Sequence, residues 1–135
     1  MENPEELVNI YHASNKFLHG KLNFIERNVT RKVVLIDHST DPYDIVEFFK
    51  IKWKFKKPGL MMTVTGGTKN FRPDQGLRNL FKQGLMEVAI NSNAVIWSGD
   101  SHYGVAAQTG QAMNNYSKSI TGMHIPCIRF RTTWI

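Results

Sequence analysis

The stretch Leu60–Phe71 reads LMMTVTGGTKNF and decides the fold predicted for this chain. Leu60–Val64 is a short apolar run between Pro58-Gly59 and Gly66-Gly67, which is typical of a buried parallel strand covered on both faces. The apolar residues of 77–90 then recur at helical spacing. α/β proteins hold phosphates on such strand–turn–helix units, because glycine lets the backbone approach an anion and the helix N-terminus offers free N–H groups. The stretch predicts a ligand-binding turn, with a simple tight turn as the alternative.

Length and composition restrict the classes of protein to consider. The chain has 135 residues, 41% of them hydrophobic, and a net charge of +6, which fits one domain or part of one. We see no apolar run near the roughly 20 residues that a membrane helix needs. The acidic segment Met1–Glu6 is followed by no apolar core and is not expected to be a secretory signal. Cys127 lies in an apolar run and is interpreted as a buried structural thiol in a reducing compartment.

The positive charge is concentrated in one lysine-rich tract, which we call the basic tract. Its lysines alternate with Trp53 and Phe55, and they are Lys50, Lys52, Lys54, Lys56 and Lys57. Lysines interleaved with aromatic residues could bind a single-stranded nucleic acid through charge and stacking. We favour a structural interpretation, in which lysines suit the C-terminal end of a helix and Trp53 anchors that helix to the core.

Strands and helices are predicted to alternate along most of the chain. Met1–Arg31 is expected to be a peripheral helix and loop. Asp41 is a suitable N-cap for a helix that starts at Pro42, and Pro73 with Asp74 marks the start of another. The predicted strands are Lys32–Asp37, Leu60–Val64, Ala94–Trp97 and Ile125–Phe130. The predicted helices contain the apolar residues that recur within 45–53, 77–89 and 105–116.

This alternation predicts a parallel sheet whose strands are joined by helical crossovers. The loops after the second and third strands, 65–71 and 98–104, then lie at the same carboxyl edge of the sheet. Ligands of open α/β sheets bind at that edge. Two glycine-bearing loops that meet there favour a ligand site over two unrelated turns.

A long series of short motifs resembles one known family. The motifs are Ser39-Thr40-Asp41-Pro42, Trp53 with Pro58, Val64-Thr65-Gly66-Gly67-Thr68-Lys69-Asn70-Phe71, Leu77 with Phe81-Lys82-Gln83-Gly84-Leu85 and Ala89, Ala94-Val95-Ile96-Trp97-Ser98-Gly99, and Gly104-Val105 with Gly110 and Ala112. In order and spacing, Lys32–Met113 resembles the N-terminal cytosolic homology region of melastatin-type transient receptor potential (TRPM) cation channels.

The resemblance implies a Rossmann-like SLOG fold, here apparently truncated. The expected domains are a peripheral segment 1–31, a partial SLOG domain 32–130 and a tail 131–135. The implied function is nucleotide sensing, with ADP-ribose or a related nucleotide as the ligand, or assembly of a calcium-permeable channel. The implied assembly is a homotetramer, formed by a parent channel in the plasma membrane. This chain is expected to be a soluble fragment or domain on the cytoplasmic face of that channel.

The resemblance also implies the ligand-binding residues, which all lie in the two loops. They are Thr65, Gly66, Gly67, Thr68, Lys69, Asn70, Ser98, Gly99, Asp100, Ser101, His102 and Gly104. Asp100 departs from the family, which usually has glycine there. Its carboxylate is expected either to repel a pyrophosphate or to bind a ribose hydroxyl. Gly66→Val is expected to abolish binding and leave the strand formed, and Asp100→Gly to strengthen binding.

Two other function classes remain as alternatives. A nucleotide-processing enzyme of the related LOG type would need a glutamate on the helix after Gly104, and no acidic residue follows Gly104. Asp100 and His102 form a proton-transfer pair only in this less favoured hypothesis. Nucleic-acid binding by the basic tract ranks lower still. No catalytic residue, metal site or required cofactor is predicted, because the histidines have no second ligand at a suitable spacing.

Overall fold

The chain divides into two compact units in a computed structural model. Unit 1 is Met1–Phe55 and unit 2 is Lys56–Ile135. The structure describes residues 6–12, 18–67, 73–99, 103–119 and 124–131. Within these ranges no helix combines the length and the apolar character that a bilayer crossing requires. The domain boundaries proposed from the sequence stay predictions.

Unit 1 contains an antiparallel sheet in the order β1-β2-β3. Its strands are β1 (Glu6–His12), β2 (Leu18–Phe24) and β3 (Val29–Leu35). A short 3-10 turn and Asn28, with a left-handed φ of 49°, connect β2 to β3. Asparagine tolerates this backbone, which is how the chain reverses here. The helix expected within Met1–Arg31 is therefore wrong in the described residues, which form strands.

The first predicted parallel strand lies in this antiparallel sheet. Lys32–Asp37 overlaps β3, and β3 pairs with β2 so that Lys32 is opposite Lys21 and Val33 opposite Gly20. The expected parallel position is wrong. The structure gives the physical reason, because Lys32, Leu35, Ile36 and Asp37 of the predicted strand are exposed. A parallel strand covered on both faces would have to bury them.

The connection from β3 into the next helix matches the prediction. The backbone N–H of Ser39 donates to Asp37 Oδ1 at 3.1 Å, and this bond is the main reason why the pKa of the Asp37 carboxyl lies below its ordinary value. Helix α1 (Pro42–Ile51) follows, with Pro42 in its first turn. Asp41 Oδ1 accepts a hydrogen bond from the N–H of Tyr43 at 2.9 Å. The predicted N-cap is confirmed.

Aromatic rings fix the end of α1 in unit 1. Phe48 and Phe49 are buried, and Trp53 stacks on Phe49 with ring centroids 4.9 Å apart. Phe55 packs edge-on against Trp53 at 5.9 Å. Between them Lys54 has a left-handed φ of 54°, and the N–H of Phe55 donates to the carbonyl of Phe49 at 3.0 Å. The turn directs both rings to the phenylalanine pair.

Unit 2 is an α/β unit with a parallel sheet in the order β4-β5-β6. Its elements are β4 (Leu60–Val64), α2 (Gln75–Asn91), β5 (Ala94–Gly99), α3 (Gly104–Ser119) and β6 (Cys127–Phe130). Asp74 caps α2 by accepting a hydrogen bond from the N–H of Leu77 at 2.8 Å. The predicted α/β class and these three parallel strands are confirmed, and the described residues of unit 2 form a sheet of three strands where four were expected.

The core of unit 2 lies between one face of the sheet and both helices. Its buried residues are Leu85, Met86, Ala89, Ala94, Ile96, Ala112, Tyr116 and Ile125. The helical period predicted for α2 is present, but part of its apolar face is exposed: Leu80 is 69% exposed and Leu77 49%. Both lie in the first half of α2, and the buried part of the helix starts at Leu85.

Candidate functional site

The carboxyl ends of β4 and β5 lie side by side, as the sequence predicts. Val64 is opposite Ser98 in the parallel register, so the chain leaves both strands at the same edge of the sheet. The predicted ligand residues that the structure describes are Thr65, Gly66, Gly67, Ser98, Gly99 and Gly104. The others lie outside the described residues, and they are Thr68, Lys69, Asn70, Asp100, Ser101 and His102.

Gly66 brings the loop after β4 against the first turn of α3. A Cβ atom at Gly66 would stand 2.5 Å from Val105 Cγ2 and 2.9 Å from Val105 Cβ. Both distances are far below the 3.5–4.0 Å at which carbon atoms make favourable contact. The sequence interpretation gave this space to a phosphate, whereas the structure fills it with Val105. Gly66 therefore holds the loop close to the N-terminus of α3.

Gly67 and Gly99 also lie at this edge of the sheet. Among the described residues, no heavy atom lies within 4 Å of the position that a Cβ would take at either glycine. Gly67 is exposed, so the backbone on that side is accessible to a molecule from solvent. Backbone without side chains is what allows a phosphate or a ribose to approach closely. Within the described part of the chain, these two glycines and not Gly66 have no close neighbour on the side where a Cβ would lie.

Gly104 starts α3 in a conformation that favours glycine. Its φ is 63°, in the left-handed region, and the residue is buried. α3 is 16 residues long and has no acidic residue in its first turn. The free N–H groups and the positive dipole end of a helix therefore lie beside the Gly66–Gly67 loop with no carboxylate in that turn. This arrangement suits an anionic group.

Ser98 is buried under the helices and does not line the open space. It is 0% exposed, and its Oγ has no hydrogen-bond partner in the part of the chain that the structure describes. Side chains alternate along a strand, so Ser98 shares the face of Ile96, which packs in the core. On α3, Thr109 is equally buried and donates its hydroxyl to the carbonyl of Val105 at 2.9 Å.

Two residues at this edge, Val105 and Arg129, were not predicted as site residues from the sequence. Val105 contacts Gly66, and only the folded chain brings them together. Arg129 is opposite Ser98 in the register, at the carboxyl end of β6, and its guanidinium packs on Gly110 of α3, where a Cβ would collide with it. In the sequence, Arg129 could have been noticed because it is a cation at the end of an apolar strand.

Cys127 is not activated as a nucleophile. It is half-buried on β6, and burial raises the pKa of its thiol above the ordinary value, while Arg129 acts in the opposite direction. A thiol with a raised pKa remains protonated at neutral pH and is a poor nucleophile. Across the described residues no group of three histidine, cysteine or acidic side chains is placed to hold a metal ion.

The arrangement of the basic tract agrees with a structural role rather than with nucleic-acid binding. All five of its lysines are exposed, whereas Trp53 and Phe55 are half-buried and pack on the rings of α1. Stacking on nucleic-acid bases needs a free ring face. The two aromatic residues of the tract are instead occupied within unit 1.

Comparisons with known proteins agree on one family. The family model described as "SLOG in TRPM" matches residues 31–132. Transient receptor potential cation channel subfamily M member 2 of Rattus norvegicus is 36% identical over 88 residues, which is 65% of this chain and 6% of that protein. The trpm channel of Drosophila melanogaster is 32% identical over 89 residues, 66% of this chain and 4% of that protein. The member-like 2 channel of Nematostella vectensis is 32% identical over 78 residues, 58% of this chain and 5% of that protein.

Proposed function

The chain belongs to the SLOG family of TRPM channels, and from that premise we propose that unit 2 is a nucleotide-sensing module of a TRPM-type cation channel. The chain spans about 6% of the length of relatives such as the rat channel, so conduction belongs to a parent protein. The proposed ligand is ADP-ribose or a related nucleotide. The proposed setting is the cytoplasmic face of a calcium-permeable homotetramer.

The observation that carries the proposal is the open backbone at the carboxyl edge of the sheet. Among the described residues no heavy atom lies within 4 Å of a Cβ placed at Gly67 or Gly99, and α3 begins at Gly104 next to the loop that contains Gly67. A pyrophosphate is an anion that helix N-termini and glycine backbone bind well. Parallel α/β sheets hold nucleotides at this edge.

The test is calorimetric titration of the full chain with ADP-ribose, with AMP as the comparison ligand. We expect saturable binding of ADP-ribose, and we expect Gly67→Val to weaken it at least about tenfold, which corresponds to about 1.4 kcal/mol. The branched side chain would fill the open space beside the loop. Gly66→Val is the less informative variant, because its side chain would collide with Val105 and disturb the fold.

Gly84→Val is the matched control. Gly84 lies in the middle of α2, and a Cβ there also meets no described atom within 4 Å. The substitution is chemically identical to Gly67→Val but lies away from the carboxyl edge of the sheet. Absence of any binding heat from folded wild-type protein would refute nucleotide sensing, and equal affinity in Gly67→Val would refute the location of the site.

A further inference from the structure

The five lysines of the basic tract form a cluster of exposed cations. All five side chains are exposed, and none of them makes an ion pair or a side-chain hydrogen bond among the described residues. The acidic residue nearest in the sequence is Glu47, about one helical turn before Lys50, and no other follows it until Asp74. The tract therefore carries positive charge that the described part of the chain does not neutralise.

The backbone of the tract is held by the two aromatic residues that alternate with its lysines. The ring centroids of Trp53 and Phe55 lie 4.9 and 5.7 Å from that of Phe49, and the N–H of Phe55 donates to the Phe49 carbonyl at 3.0 Å. Because both rings are packed within unit 1, the backbone of Lys52 and Lys54 is fixed on either side of Trp53. A ligand that binds these cations has to order lysine side chains but not the chain itself, which lowers the entropic cost of binding.

Helix stability explains only part of this lysine content. Cations stabilise the negative end of a helix dipole, but the effect is confined to about the last turn, which in α1 contains Lys50. Lys54 lies beyond that turn and has a left-handed φ of 54°, a backbone that favours glycine over a residue with a side chain. Folding alone would be served better by glycine at this position, so the ammonium group of Lys54 indicates a role outside the fold.

We propose that the basic tract binds a compact polyphosphate, by which we mean a small molecule or a lipid headgroup that carries several phosphate monoesters on one ring. Lysine binds phosphate as a point charge, and each exposed contact in water is weak, so separate cations need a ligand with several anionic groups. A phosphate monoester supplies about −1.5 to −2 charges at neutral pH. Lys50, Lys52 and Lys54 of unit 1 form the site, and Lys56 and Lys57 are the next cations along the chain.

The chemistry of the tract favours this ligand over other polyanions. A single-stranded nucleic acid binds through base stacking as well as charge, and the rings of Trp53 and Phe55 are occupied within unit 1. An acidic peptide spreads single charges along an extended chain, whereas the lysines are gathered within residues 50–57 at the end of a helix. Several phosphates on one ring bring the charge together in the same way.

The test titrates the full chain with inositol hexakisphosphate in a calorimeter, and separately sediments it with phosphatidylcholine vesicles that contain phosphatidylinositol 4,5-bisphosphate. We expect saturable binding of at least one of these probes, with an affinity that falls as salt is added. Binding of the soluble probe alone identifies a free polyphosphate as the ligand, and binding to the vesicles alone identifies a lipid headgroup. Binding of both shows that the tract recognises the clustered phosphates in either form.

A double variant with Lys52→Gln and Lys54→Gln tests the location of the site. Binding should weaken about tenfold or more, because two contacts between ammonium and phosphate are lost. The matched control carries Lys21→Gln and Lys32→Gln, which removes the same charge from two exposed lysines that lie opposite each other on β2 and β3. This control should bind nearly as the wild type does. All four lysines are exposed, and circular dichroism checks that both double variants keep their fold.

Absence of saturable binding of either probe by folded wild-type protein would overturn the proposal. An equal loss of affinity in the two double variants would do the same, since net charge and not the tract would then explain binding. An oligonucleotide of random sequence that binds as tightly as inositol hexakisphosphate would also overturn it. The polyphosphate site and the proposed ADP-ribose site use different residues and different probes, so either can fail in its test while the other stands.

Discussion

Gly66→Ala tests the contact that joins the loop after β4 to α3. The added Cβ would stand 2.5 Å from Val105 Cγ2, about 1 Å inside normal carbon contact. Val105 belongs to a helix that Ala112 and Tyr116 fix in the core, so it has little freedom to withdraw. Inserting a methyl group into a filled position costs about 1–3 kcal/mol of folding free energy. For a domain of 60–100 residues, 2 kcal/mol lowers the midpoint of thermal unfolding by about 8–16 °C.

Gly67→Ala is the matched control, because a Cβ at Gly67 meets no described heavy atom within 4 Å. Among the described glycines only Gly104 has a positive φ, so alanine fits the backbone at Gly67 without strain. Its stability should equal that of the wild type or exceed it by about 0.4–1 kcal/mol, as the unfolded chain loses freedom. Thermal unfolding followed by circular dichroism measures both variants.

Amide hydrogen exchange shows which elements Gly66→Ala destabilises. Gly66→Ala should speed amide exchange in β4 and in the first turn of α3, and Val105→Ala in the same chain should recover part of the loss by removing the colliding methyl groups. A Gly66→Ala protein as stable as the wild type would refute the reasoning. So would an equal loss in Gly67→Ala, since the two glycines differ in the space beside them.

Two further outcomes follow from the backbone of unit 1 and from the thiol of β6. Lys54→Gly should raise the free energy of unfolding by about 1 kcal/mol in urea titration, because a side chain in the left-handed region costs about 1–2 kcal/mol; a loss of stability would contradict this. Cys127 should react with iodoacetamide only at a higher pH than a free thiol, because burial raises its pKa and the thiolate forms later as the pH rises. Arg129→Ala should move that pH higher still, and a shift to lower pH would show that Arg129 does not stabilise the thiolate.

The elements with strong local signals were predictable from the sequence. Asp41 and Asp74 precede amphipathic runs and cap α1 and α2, as a short side chain before a helix should. The apolar run at 94–97 became the central strand β5, in which Ala94, Val95 and Ile96 are buried. For the two caps the deciding hydrogen bonds join residues that are close together along the chain.

The antiparallel sheet was not predictable in the same way. β2 has Gly20 and Lys21 at its centre, and only pairing with β1 and β3 makes it a strand. Whether β3 joins a parallel or an antiparallel sheet depends on that distant partner. The contact that Gly66 makes with α3 could not be predicted for the same reason. A glycine pair after a strand indicates close approach, but Val105, some forty residues later, decides what approaches.

The two kinds of sheet have different consequences for the order of folding. β2 and β3 are joined by a turn of residues 25–28, so their pairing closes a very short loop. β4 and β5 pair only after the whole of α2 has been crossed, and β5 and β6 only after α3. Loop closure costs more entropy for such distant segments, and non-local topologies fold more slowly. During synthesis the meander of unit 1 can form early, whereas the glycine edge of unit 2 exists only once β5 and the start of α3 have been made.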